Sequence, residues 1–290
     1  MVTRRVEVAY AGAALLGEGP VWHAKTSALV WVDIEQGHVH ITHGHGTRTY
    51  VVPAPVGVAV PQVDGNLLLA LGSRVATLEL DGGTIETVAE LPPGDRGGTR
   101  FNDGAVDPAG RFWAGTKAPN DDPSAALYRL DGPGKLTRVV SGVTISNGLA
   151  WSKDTRTLYY IDTPTRTIAR FAFEAATGAV GPVAIHTDTR ALSGWPDGMT
   201  IDGDGNLWVA FWDGWAVRCF SGDDGSLLDE IAVPVARPTS CAFGGADMRQ
   251  LYITTARSGL DGAALAKQRL AGSLLVVEPG PSGEAPTPAG

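Results

Sequence analysis

Three side chains with oxygen donors occupy the same place in a recurring sequence pattern. Glu18, Asn147 and Asp197 each precede a glycine and a short apolar run. The same position of the pattern is occupied at three other places by Val56-Gly57, Asp103-Gly104 and Thr239-Ser240. If the pattern marks the start of the innermost strand of a repeated unit, these first side chains converge around one axis.

Two carboxylates and an amide oxygen are hard donors, the set that Ca²⁺, Mg²⁺ or Mn²⁺ prefers. If Glu18 and Asp197 were forced together without a cation, their carboxylates would repel each other and the pKa of one of them would rise. Asp-Gly and Asn-Gly are also common hairpin turns, so one such dipeptide alone indicates a turn. Glu18 is a poor turn former, however, and three residues of ligand type recur at the same position of the repeat. This recurrence favours one shared metal site formed by Glu18, Asn147 and Asp197. Zn²⁺ is a further candidate, and the sequence leaves the identity of the divalent cation open.

The elements that must position these side chains also repeat. Six short apolar segments follow turns that contain Gly, Asp or Lys, at steps of roughly 37 to 49 residues, the spacing of four-stranded propeller blades. They are residues 28–33, 66–70, 111–116, 157–162, 206–210 and 250–254. The sequence therefore predicts an all-β fold, a six-bladed β-propeller with a central channel. We expect residues 1–278 to form a single propeller domain and residues 279–290 to be a Pro/Gly-rich C-terminal tail outside it.

Composition narrows the class of partner. The chain of 290 residues has 38 glycines and 19 prolines spread among apolar runs and a formal net charge of −8, without a Lys/Arg cluster. A nucleic-acid partner is not expected, and a small molecule fits better. No apolar run approaches the roughly 20 residues that span a bilayer, so no membrane partner is expected. Cys219 and Cys241 indicate reduced thiols in a cytoplasmic protein, and a monomer is the default expectation.

Two smaller groups of residues also suggest sites. The histidines His38, His40, His43 and His45 raise the possibility of zinc, but their spacing is more typical of a hairpin with polar side chains. The tryptophans near the expected blade entries are expected to wall the substrate pocket: Trp22, Trp151, Trp195 and Trp212.

Several motifs together resemble the gluconolactonase, regucalcin and senescence-marker family of six-bladed propellers. The resemblance runs from about residue 15 to about residue 277. It is carried by residues 17–22, 31–34, 100–104, 107–111, 114–116, 145–152, 196–199 and 207–210. It implies that Glu18, Asn147 and Asp197 bind one divalent cation and that Asp197 acts as general acid and base. It also implies that Arg100 and Asn102 contact the substrate.

The chain departs from the family pattern after residues 114–116. Relatives often carry methionine and acidic residues there, whereas this chain has Lys117 and a loop over residues 117–122. By the resemblance, Asn120 falls where a family glutamate touches substrate, and Lys117 adds a cation to the pocket unless it is a solvated loop residue.

The family resemblance implies the metal-dependent hydrolysis of a small lactone, in particular a sugar aldonolactone, to its hydroxy acid. A metal in a propeller channel can also polarise P=O, so an organophosphate or other ester hydrolase is one alternative. A non-catalytic calcium-binding propeller module is the other, and it predicts metal binding without turnover.

Overall fold

Short apolar runs separated by glycine-rich turns become strands along the whole chain. A computed structural model describes residues 4–44, 46–53, 55–120 and 122–290. The strands are β1 Glu7–Tyr10, β2 Gly17–His23, β3 Ala28–Asp33, β4 His38–His43, β5 Gly46–Val51, β6 Val56–Pro61, β7 Leu67–Leu71, β8 Arg74–Leu78, β9 Ile85–Glu90, β10 Arg100–Val106, β11 Phe112–Lys117 and β12 Ala125–Leu130. They continue as β13 Leu136–Val143, β14 Ser146–Trp151, β15 Thr157–Asp162, β16 Thr167–Glu174, β17 Ala179–Asp188, β18 Trp195–Ile201, β19 Leu207–Trp212, β20 Ala216–Phe220, β21 Leu227–Ala232, β22 Pro238–Gly244, β23 Gln250–Thr255 and β24 Leu274–Val277.

The strands form six four-stranded antiparallel blades, which confirms the predicted six-bladed propeller. Five blades use consecutive strands: β2–β5, β6–β9, β10–β13, β14–β17 and β18–β21. The sixth combines β22, β23 and β24 with the N-terminal strand β1, where Glu7 pairs with Val276. This pairing closes the ring between the two ends of the chain.

The innermost strands of the blades are β2, β6, β10, β14, β18 and β22. Each carries a β-bulge where it pairs with the second strand of its blade, close to its own start. A bulge re-aims the side chains around it and increases the local twist. We call the end of the channel where these strands begin the top end, and the end where they finish the bottom end.

The small residue of the repeated pattern has a packing role. A Cβ atom on Gly148 would lie 2.8 Å from the carbonyl oxygen of Asp197, and one on Gly198 would collide with the side chain of Ser240. Each glycine therefore lets the inner strand of the next blade approach closely. This approach brings the residues at the starts of the inner strands together.

The composition of residues 279–290 predicts a tail outside the fold. The segment instead contacts turns at the bottom end. The Gly203 amide donates to the Ser282 carbonyl at 2.7 Å, and the Ala289 amide donates to the Pro61 carbonyl at 2.8 Å. Ala289 is 1% exposed. Backbone hydrogen bonds hold the segment without regular secondary structure, which is why its Pro/Gly composition does not exclude an ordered path.

The histidine-rich segment is a hairpin of β4 and β5. The His40 ring stacks on Trp31 with centroids 4.1 Å apart, and its Nδ1 lies 2.8 Å from the Thr49 hydroxyl. These contacts give His40 a packing role in the blade. His45 lies outside the described residues.

The α-helix of the described chain, α1 Gly262–Lys267, begins after Asp261, whose carboxylate accepts from the Ala264 amide at 2.7 Å. In the ranges that the structure describes, no helix has both the length and the apolar character needed to cross a membrane.

Candidate functional site

Four polar side chains from four inner strands lie at the top of the channel. Glu18 belongs to β2, Asp103 to β10, Asn147 to β14 and Asp197 to β18, and their exposed fractions are 5, 7, 5 and 5%. The structure therefore places all three predicted metal ligands at equivalent positions of their blades. It adds Asp103, which the sequence puts at the same repeat position without a role.

Aspartates at the ends of two second strands, one buried and one half-buried, fix how the chain enters the inner strands. The Asp33 carboxylate at the end of β3 accepts from the Leu15 amide at 2.8 Å, just before β2. The Asp162 carboxylate at the end of β15 accepts from the Ile145 amide at 2.9 Å, just before β14. These contacts hold the backbone that leads directly to the first and fourth inner strands.

A chain of hydrogen bonds crosses the site and orients its amides. Arg100 Nη1 donates to Asn102 Oδ1 at 2.8 Å, and Asn102 Nδ2 donates to Asn147 Oδ1 at 2.9 Å. Asn147 Nδ2 then donates to Thr163 Oγ1 at 2.7 Å, and this hydroxyl donates to the Pro196 carbonyl at 2.8 Å.

The direction of this chain is set at both ends. Arg100 offers only donors, so Asn102 must present its oxygen to the guanidinium and its nitrogen to Asn147. The Thr163 hydroxyl gives its proton to a carbonyl, so it can only accept from Asn147. The Asn147 oxygen therefore faces Asn102 and keeps one lone pair beside the bond from Asn102.

Burial and mutual repulsion dominate the electrostatics. Burial raises the pKa of Glu18 well above its usual range, and the charges of Asp197 and Asp103 raise it further. Burial, followed by the charge of Asp103, likewise raises the pKa of Asp197 well above its usual range. Burial raises the pKa of Asp103 to about 6. Arg100 and Lys117 oppose this only in part, by lowering the pKa of Glu18 and Asp197 respectively.

This set of side chains fits a divalent cation. Buried carboxylates that repel one another are stabilised by a shared positive ion, and carboxylate and amide oxygens are ligands for hard metals. Across the described ranges, no three His, Cys, Asp or Glu side chains form a cluster able to hold a metal. The candidate set is therefore a mixed one, in which the Asn147 amide oxygen complements the carboxylates.

The predicted substrate residues occupy different parts of the top end. Arg100 begins β10 and Lys117 ends β11, directly opposite Arg100 in the strand pairing. Asn102 is 7% exposed and lies in the hydrogen-bonded chain already described. Asn120 lies on an exposed turn beyond β11, and within the described ranges no hydrogen bond joins it to the other residues.

A cavity of about 290 Å³ lies below the site in the channel. Asp103 contributes to its wall, and residues 284–287 of the C-terminal segment line it at the bottom end. Trp22 and Trp151 line this lower cavity, below the candidate site. Trp195 begins β18 at the top end, where it is 42% exposed.

Comparison with known proteins identifies a family and several similar proteins. Residues 16–257 match the family described as the SMP-30/Gluconolactonase/LRE-like region. The chain is 38% identical over 271 residues to pentonolactonase XacC of Haloferax volcanii, covering 91% of this chain and 88% of the relative. It is 37% identical over 262 residues to 6-deoxy-6-sulfogluconolactonase of Pseudomonas putida, covering 89% of each. The structure of a calcium-binding regucalcin from Agrobacterium tumefaciens superposes with a TM-score of 0.93 at 26% identity, covering 100% of this chain and 99% of that one.

Proposed function

The chain belongs to the SMP-30/gluconolactonase/LRE-like family, and from this premise we propose that it hydrolyses a small lactone, a sugar lactone, with the help of one divalent cation. The observation that carries the proposal is the group of buried, mutually repelling carboxylates at the top of the channel. Relatives named for lactonase activity on pentonolactones and on a sulfogluconolactone support the substrate class. A relative described as calcium-binding supports the cation.

In this proposal Glu18, Asn147 and Asp197 hold the ion, which is Ca²⁺, Mg²⁺, Mn²⁺ or Zn²⁺. When bound, a divalent cation supplies Lewis-acid polarisation of the lactone carbonyl. Asp103 faces the same space and adds a further negative charge to the set. These side chains are almost completely buried, which limits the access of bulk water to the site. The low exposure also strengthens each electrostatic contact in the site.

The chain's own residues handle the proton and the orientation of the substrate. Asp197 accepts a proton from the attacking water as its oxygen bonds to the carbonyl carbon. The ring C–O bond then breaks, and Asp197 returns the proton to the leaving ring oxygen, which becomes the hydroxyl of the product. Arg100 donates hydrogen bonds to substrate hydroxyls, and Asn102 Oδ1, which keeps one lone pair beside its bond from Arg100, accepts one from a substrate hydroxyl. These contacts hold the ring in place.

A substrate panel tests the proposal against its alternatives. Proton release is measured with aldonolactones, an organophosphate triester and an aryl ester, using chelated protein to which each of the four ions is returned separately. Hydrolysis of the lactones in preference to the other esters is expected. Preference for the triester would make the chain another hydrolase, and ion binding without any turnover would leave a calcium-binding module.

Replacing Thr163 by valine is expected to weaken cation binding about tenfold, since residues that orient a ligand affect metal affinity by about 10–100-fold. Valine keeps the shape but removes the acceptor for Asn147 Nδ2, so only the bond from Asn102 still fixes which way the amide faces. Calorimetric titration with the ion measures the dissociation constant.

Thr163→Ser keeps the hydroxyl and should restore binding to within about threefold of the wild type. Thr165→Val is the matched control, because the Thr165 hydroxyl in the same turn contacts the Asp162 carbonyl and not Asn147. Equal affinity of the Thr163→Val protein and the wild type would show that the hydrogen-bonded chain does not orient the ligand.

A further inference from the structure

Two cationic side chains face each other across one blade at the top end of the channel. Arg100 and Lys117 occupy directly opposite positions in the antiparallel pairing of β10 with β11. Like charges at such positions destabilise a sheet unless something compensates them. Within the described ranges, neither forms an ion pair with a carboxylate.

Two other cations at the top end are engaged in structural contacts. Arg237 pairs with Asp213 at 2.7 Å. Arg166 Nη2 donates to the Leu192 carbonyl at 2.6 Å, and its guanidinium lies 4.9 Å from the centre of the Trp195 ring. Arg166 and Arg237 therefore have partners that account for their positions, whereas Lys117 has no such partner among the described residues.

The charges of Arg100 and Lys117 both act on the candidate site. Arg100 lowers the pKa of Glu18, and Lys117 lowers the pKa of Asp197. Arg100 Nη1 is occupied by the Phe101 carbonyl and by Asn102. Within the described ranges its other guanidinium nitrogens make no hydrogen bond, so they remain able to donate to a ligand.

The balance of charge then favours an anion. Three carboxylates against two side-chain cations leave one negative charge at the site, and a bound divalent ion reverses this to one positive charge. Glu35 also acts on Arg100, but its side chain is exposed and accepts from the Ser258 hydroxyl at 2.8 Å, so water screens it. A neutral lactone would leave the positive charge uncompensated, while an anionic one would neutralise it.

We propose that the lactone taken by this site carries, away from its carbonyl, an anionic oxyacid group that binds Lys117 together with the free nitrogens of Arg100. The inference rests on the proposed lactonase function and specifies its substrate class. Carboxylate, sulfonate and phosphate groups share the required chemistry, since each presents negatively charged oxygens to ammonium and guanidinium donors.

The test compares substrates that differ only in the charge at the sixth carbon. Turnover of glucono-1,5-lactone is compared with that of its 6-phospho, 6-sulfo and 6-carboxylate counterparts, using the ion-loaded wild type and its Lys117→Met, Lys117→Arg and Lys153→Met variants. Lys153 is the matched control, because the same change removes a cation near Glu284 at the bottom end. The three anionic arms distinguish which oxyacid is preferred.

At least one anionic lactone is expected to exceed the neutral one at least tenfold in kcat/KM. Lys117→Met should reduce this ratio about tenfold, the size of one charge-assisted contact, while Lys117→Arg retains most of it and Lys153→Met leaves it unchanged. Preference for the neutral lactone, or an equal effect of Lys117→Met on both kinds of lactone, would overturn the proposal.

Binding of the open-chain acids separates this inference from the proposed function. If no lactone is hydrolysed, the lactonase proposal fails, but calorimetry with gluconate and 6-phosphogluconate still reports on the cations. Tighter binding of 6-phosphogluconate that depends on Lys117 would support the anion site, and equal binding of both acids would overturn it.

Discussion

Replacing Asp197 by asparagine should lower kcat/KM for the preferred lactone at least a thousandfold while the propeller stays folded. The change removes the proton acceptor, a group that contributes about 10²–10⁴-fold to catalysis, and it also removes an anionic donor to the cation. Stopped-flow or pH-stat assays of lactone hydrolysis measure the loss, and circular dichroism checks the fold.

Two further results separate this effect from simple damage to the protein. The chelated Asp197→Asn protein should be more stable than the chelated wild type, because a buried charge that repels Asp103 is gone. Asp204→Asn, which changes an exposed aspartate in the turn after the same strand, should retain full activity. Substantial lactone hydrolysis by the Asp197→Asn variant would refute the role of Asp197.

The second large effect concerns the ion itself. A saturating divalent cation should raise the melting temperature by about 5 °C, because a ligand at 100 times its dissociation constant stabilises a protein by about 2.7 kcal/mol. Scanning calorimetry of chelated and reloaded protein measures the difference. The gain should be larger at pH 8 than at pH 5.

The direction of this pH dependence follows from the raised pKa values of Glu18, Asp103 and Asp197. A group that binds its proton more tightly in the folded state stabilises the fold below its ordinary pKa. That stability is lost as the pH rises from about 4 through the raised values, which for Asp103 means about 6. The ion replaces the protons and restores stability in this range. Identical melting temperatures with and without every ion at pH 8 would contradict the site.

The sequence pattern was sufficient for the blades and for part of the site. The repeat places Glu18, Asn147 and Asp197 before glycines at equivalent positions of their blades. Equivalent positions of a closed ring converge on its axis, so the repeat alone predicts that these side chains lie close together. The glycines at 148 and 198 were visible as small residues. Their physical reason, the close approach of the next inner strand, needed three-dimensional contacts.

Other features depend on contacts between distant parts of the chain. Thr163 is outside the repeat phase, and its bond to Asn147 arises only when the turn after β15 folds over the start of β14. The pairing of β1 with β24 and the path of residues 279–290 join the chain ends to distant strands and turns. Asp103 could have been included from its repeat position, since it differs from Asp197 only in its blade.

The most direct test of the central claim is the stoichiometry with which a divalent ion restores lactone hydrolysis. Protein stripped of metal, as verified by elemental analysis, is titrated with the preferred ion while the rate of proton release from its lactone is followed. We predict no turnover in the stripped protein, recovery that reaches its limit at one ion per chain, and a much higher ion requirement in Glu18→Gln. Full hydrolysis by metal-free protein would contradict the account.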